Sequence, residues 1–201
     1  MAVDLVTELD GEIFVHRHVW KVVERQLEHA QKHQIGSRYD YLVAMVFSFH
    51  TLEGYLNFVG NRLASELWDD ERNNKAIRSF TGKAAKVFEL CGIPEPNRMV
   101  RPYKTIWDLQ NLRDMIAHPK TISVSNKVYH TDEESAPNLD YNPFDELVSH
   151  DKALITVHDV QELIKIIHSA ASTKTNDIWF GKDGLGGPLS HGRGSTTLAR
   201  R

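Results

Sequence analysis

Over most of this chain apolar positions recur at intervals of three and four, the spacing that lines one face of a helix. Ile13, Trp20, Val23, Leu27 and Ala30 share such a face and predict a first helix from about Asp10 to Gln34, which Gly36 can end. Ser37 and Asp40 have the spacing of a capping box. A second, long helix therefore starts there and runs to about Leu67, with Leu42, Val46, Phe49, Leu56 and Gly60 along its apolar stripe. Ala84, Val87, Phe88 and Cys91 predict a third helix from about Thr81 that stops at Gly92, and Pro94 and Pro96 place a loop after it. Ile106, Leu109, Leu112 and Ile116 mark a fourth from about Thr105 to Ala117. Pro119 ends it, because a residue before proline is pushed out of the helical region. A last core helix opens with a second capping-box pair, Thr156 and Asp159, and carries Val160, Ile164, Ile167, Ala171 and Ile178.

Between the last two helices the pattern changes. Ile122, Val124 and Val128 alternate around Ser125-Asn126 and read as a short hairpin or extended arm, and Asp132 to Pro143 is a polar, turn-rich loop. From Gly181 onward six glycines, Pro188 and the basic ending Ala199-Arg200-Arg201 carry no packing pattern. The expected architecture is all-α: an up-and-down helical bundle of four to five main helices over residues 1–180, with a loop or short β-hairpin inserted at about 119–155, and a flexible C-terminal tail over 181–201.

With 201 residues, 41% of them hydrophobic, the chain can bury one sizeable core, and nothing requires a second domain. Its single cysteine, Cys91, excludes an internal disulfide and reads as a buried structural thiol on the third helix. The first ten residues carry Asp4, Glu8 and Asp10 and no basic residue, which does not suit a signal or transit peptide. No apolar run approaches membrane-spanning length, so the expected location is the cytoplasm, with no membrane partner. A net charge of -3 argues against non-specific binding of nucleic acid over the whole surface. Any RNA contact must use a local basic patch, and the densest is Arg98, Arg101, Lys104, Arg113, Lys120 and Lys127. His29 and His33 are spaced like metal ligands, but there is no HExxH order and Lys32 adds positive charge beside them. No phosphate-binding glycine loop or GxSxG elbow is present, so neither metal nor cofactor is expected.

The chemistry is concentrated at the end of the fourth helix, in Leu112-Arg113-Asp114-Met115-Ile116-Ala117-His118-Pro119. Arginine is a permanent cation whose donor fork matches phosphate oxygens, and histidine moves protons near neutral pH. Together they can promote attack of an RNA 2′-hydroxyl on its own phosphodiester without a metal. Five positions of helix set the two side chains about 140° apart around the axis, so convergence needs either an unwound helix end or a second copy of the motif. The second option predicts a homodimer. Trp107, Asn111, Asp114 and His118 share one stripe, which suits either a dimer seam with a polar cleft or an outer surface. Trp107 can stack on a base or simply pack. Glu53 falls within the apolar stripe of the second helix, where a carboxylate needs a partner. Arg113, water or a backbone donor would each serve, and His50 and Asn57 flank the same side.

The run Leu-Arg-Asp-x-Ile-Ala-His-Pro resembles the arginine, polar residue, spacer, histidine motif of HEPN (higher eukaryotes and prokaryotes nucleotide-binding) domains. The earlier run Phe49-His50-Thr51-Leu52-Glu53-Gly54-Tyr55-Leu56-Asn57 resembles their polar-bearing second helix. Such domains are α-helical bundles, many of them metal-independent RNases in toxin-antitoxin, phage-defence and RNA-processing systems, commonly pairing their motifs across a dimer cleft. The resemblance implies Arg113 and His118 as catalytic residues, with Asp114, Glu53, Asn57 and Asn111 in support. The basic neighbourhood and Trp107 offer RNA contacts from Arg98, Arg101, Lys104, Trp107 and Lys120, and the resemblance adds a protein antitoxin or other partner. Where many members have Asn after the arginine, this chain has Asp114. A non-catalytic module that binds a nucleotide or a protein is the alternative, and an arginine in a surface ion pair beside a histidine capping a helix is the plainest reading of the motif.

Overall fold

The structure, a computed structural model, describes residues 5–121, 147–181 and 183–198. The elements in chain order are β1 (Leu5–Ile13), α1 (Val15–Lys32), α2 (Ser37–Leu63), α3 (Ser65–Asp69), α4 (Phe80–Cys91), α5 (Lys104–Ala117), α6 (His150–Ala171), a 3-10 turn (Ile178–Gly181) and β2 (Ser190–Leu198). The fold is all-α; among the described residues there are five main helices, the single-turn α3, and one two-stranded antiparallel sheet. The hairpin expected over Ile122–Val128 and the loop Asp132–Pro143 lie outside the described residues.

α2 is the axis of the bundle and packs against every other helix described here. Its buried residues, among them Ala44, Phe49, Leu52, Tyr55, Leu56 and Val59, fall on one half of its circumference, and most of the other half is partly covered. By length and composition alone it could cross a membrane, a candidate that the sequence reading missed. Half of its most apolar stretch is buried by the other helices, as in a core helix apolar on every side. Ser48 and Thr51 sit in that core without orphaned hydroxyls, since each donates to the carbonyl four residues back, at 2.8 Å. Gly60 is a packing requirement: a Cβ there would fall 2.1 Å from the Trp68 ring.

Three expectations change on contact with the structure. Ser37 is not an N-cap. Gly36, at φ 81°, holds that position, and Asp40 bonds instead to Nδ1 of His29 at 2.9 Å. The last helix begins well before Thr156, at His150, capped by Ser149 Oγ accepting from the Lys152 N–H. Thr156 and Asp159 are buried in mid-helix, and Ile178 lies beyond the helix and is exposed. Finally, the stretch read as a flexible tail is built into the fold. Phe180 and Leu185 join the core, and Ser190–Leu198 pairs with Leu5–Ile13 in continuous register from Ser190↔Ile13 to Leu198↔Leu5. Strand pairing through backbone groups leaves no apolar period in so glycine-rich a sequence.

What fixes this C-terminal strap is Arg17, 1% exposed at the start of α1. Its Nε donates to the Gly184 carbonyl (3.3 Å), Nη1 to that of Pro188 (2.8 Å) and Nη2 to that of Asp183 (3.1 Å). The guanidinium also stands 4.7 Å from the Phe14 ring centroid, and the Phe14 N–H donates to Leu189 O at 2.9 Å. Beside it, Tyr55 Oη and His168 Nδ1 lie 2.7 Å apart, and His168 Nε2 is 3.1 Å from the Phe180 carbonyl.

Candidate functional site

α5 buries Thr105, Ile106, Leu109 and Leu112, and its hydrogen-bond ladder reaches His118 N, which donates to Asp114 O at 3.0 Å. His118 itself takes φ -127°, ψ 62°, the non-helical geometry that Pro119 imposes. Arg113 and His118 are both exposed, and Arg113 Nη1 is 2.9 Å from Asp114 Oδ1. Glu53 is not its partner. That carboxylate lies 3.4 Å from the Nζ of the buried Lys83, which also meets Glu71 at 2.8 Å. Lys83 comes from α4, packed on the polar edge of α2, and neither the second helix pattern nor the motif announced it.

The supporting residues are likewise dispersed. Asn57 accepts from Trp68 Nε1 at 3.2 Å and so braces α2 against α3, and His50 is exposed. Arg98 stacks 4.9 Å from the half-buried Trp107 ring, Lys104 pairs with Asp108, and Lys120 is exposed. Arg101 is bound side-on to Asp159, with Nε at 2.8 Å and Nη2 at 2.7 Å from its two carboxylate oxygens. Thr105 donates to the same carboxylate. Burial pushes the Asp159 carboxyl up, but the hydrogen bonds from Arg101, Thr105 and His158 more than reverse this and hold it below the usual carboxylate range. The basic neighbourhood thus exists as a surface, with much of its charge engaged within the chain. Lys127 lies outside the described residues.

One groove opens beside this helix, about 480 Å³ between α2, α5 and α6, with Met45, Leu109, Leu112, Met115, Leu147 and Ile155 in its lining. Lys104, Asp108, Asn111 and Met115 also line it, and at their helical spacing the same row continues one turn beyond Met115 to His118. Arg113 falls on the far side of the helix. The groove therefore leads toward the histidine and not the arginine, so the two motif residues do not share one cavity.

Cys91 is buried, and burial pushes its thiol up to about 11, which suits packing and not nucleophilic chemistry. The His29 and His33 rings stack at 4.5 Å, and no set of three or more metal-binding side chains occurs among the described residues. The polar clusters that sequence reasoning missed are those of Arg17 and Asp159. No family model matches the chain, and no curated protein or solved structure matches it either.

Proposed function

We propose that this chain is a metal-independent endoribonuclease of HEPN type, acting as a homodimer in the cytoplasm, with a toxin, phage-defence or RNA-processing role. The observation that carries the reading is the exposed arginine and histidine at the proline-terminated end of a late helix in an all-α bundle. His118 takes the 2′-hydroxyl proton as the oxygen attacks phosphorus, or gives a proton to the 5′ oxygen as its bond to phosphorus breaks, and water makes the other transfer. Arg113 stabilises the charge gathering on the phosphate, and Asp114 orients it through their 2.9 Å contact. A second protomer sets its own motif opposite and closes the angle that one helix leaves open.

The Arg113–Asp114 pair also favours a second reading, a non-catalytic module binding a nucleotide or a protein such as an antitoxin, because the pair partly neutralises the cation. Incubation of a mixed RNA pool with purified protein in excess EDTA separates the two. The enzyme is expected to give 2′,3′-cyclic phosphate ends, and folded Arg113→Ala and His118→Ala variants are each expected to be slower by about a hundredfold or more. Absence of cleavage, together with weakened self-association in His118→Ala, would transfer the assignment to the binding module.

A further inference from the structure

The groove between α2, α5 and α6 is segregated along its length. α5 and α6 run antiparallel beside it: Asp159 meets Arg101 and Thr105 at one end, while Val148 and Ala153 cluster with Leu112 and Met115 at the other. The first end carries Arg101, Lys104 with its partner Asp108, and the hydroxyls of Thr105 and Thr156. The second is mainly aliphatic, with Met45, Leu112, Met115 and Leu147 alongside Asn111 and Lys152. Three of the four charged residues in the lining are cations, in a chain whose net charge is -3.

Arg101 is the built element of the polar end. A buried carboxylate grips its Nε and Nη2 edge, which fixes the plane of the guanidinium while the side chain stays half exposed. Side-on pairing of this kind leaves the outer edge, Nη1 and the second Nη2 proton, available for another anion. Among the described residues the lining has no aromatic ring on which a base could stack. Its volume is that of a small-molecule site, too small to enclose a partner helix. From Leu109 to Met115 the apolar floor runs about 9 Å along the helix.

We propose that this groove binds a single-chain amphiphilic anion, its phosphate or carboxylate head on Arg101 and Lys104 and its alkyl tail along Leu109, Leu112, Met115 and Ile155. The site stands independently of Arg113 and His118.

Calorimetric titration of the full chain with octyl and decyl phosphate, below their micellar concentrations, tests it. Saturable one-to-one binding is expected, tightening about fourfold per methylene, because each buried methylene contributes a fixed increment. Decanol and decyltrimethylammonium are expected to bind at least tenfold more weakly than decyl phosphate. Ile155→Asp and Met115→Glu, both at partly exposed positions and checked for unchanged helix content, should abolish binding of the phosphate. Lys104→Glu should weaken decyl phosphate while leaving decanol unchanged. Equal affinity for the anion, alcohol and cation, or binding unaltered in Ile155→Asp and Met115→Glu, would overturn the proposal. So would failure of decyl phosphate to bind, and a short RNA whose binding is then lost in Ile155→Asp and Met115→Glu would give the groove to the nucleic acid. Because none of these readouts depends on RNA cleavage, failure here and failure of the RNase reading are separately visible.

Discussion

Arg17→Ala is expected to remove about 3–5 kcal/mol of folding stability, read as a shift in urea midpoint, and to release the C-terminal strap. The loss comes from both sides of each contact. Three carbonyls lose their donor: that of Gly184, a buried residue, and those of Asp183 and Pro188, whose bonds are part-buried. An unpaired buried acceptor costs the full desolvation of that group. The cavity left under Phe14 adds to this, because the guanidinium also packs on that ring. Hydrogen exchange locates the effect: amides of β1 and β2 should lose protection while those of α2 and α4 keep it. Gly187→Ala approaches the same joint from the opposite face. A Cβ there would stand 2.4 Å from Arg17 Nη1, so the strap must move or the arginine must leave its carbonyls. Retained strand protection in both variants would show that pairing of β1 with β2 holds the termini without the clamp.

The clamp also illustrates which parts of this molecule are legible in sequence. Helices α1, α4 and α5 were readable because each buries a stripe against α2 and exposes the rest, so their apolar periods survive, and Gly92 and Pro119 punctuate the ends of the last two. The start of α1 was not, since residues 10–13 belong to β1 and Ile13, counted on the helix face, is exposed there. α2 gave its position but not its facing, since its outer half carries apolar residues too, among them Leu42, Val43, Val46, Phe47 and Phe58, and these blur the stripe. The capping pattern failed twice, at Ser37 and at Thr156, for one reason. Two polar residues three apart occur within helices as readily as at their starts, and Asp159 serves Arg101 where a cap was expected. The strap was invisible because its attachment runs through backbone carbonyls, which every residue has, to an arginine that looks in sequence like any surface cation. The motif at Arg113 and His118 was legible as chemistry and as a helix end. Its convergence was not, since that depends on what lies opposite.

Stability is expected to fall by about 3 kcal/mol between pH 7 and pH 4 through His16 alone. His16 is 3% exposed, its Nε2 has no hydrogen-bond partner, and burial, reinforced by the charge of Arg17, lowers its pKa from 6.5 to about 4. The sign follows from which state holds the proton. Between those two values the unfolded chain binds a proton at this residue and the folded chain does not, so acid pulls the equilibrium toward unfolding across the whole window. The depressed carboxyls of Asp159 and Asp183 act later. Their contributions are intact above the ordinary carboxylate range and are lost only as pH falls through their lowered values, which separates them from the histidine. His16→Phe is the discriminating variant. It keeps a ring among Phe14, Tyr55 and Phe58, and Gly184 O retains its bond from Arg17 Nε. Urea unfolding at pH 7, 6, 5 and 4.5 should show a stability falling with acid in the wild type and nearly level in His16→Phe, the curves diverging below pH 6.5. Parallel curves would mean that the imidazole finds a proton acceptor in the folded chain, and the acid sensitivity of this protein would then belong to its carboxylates.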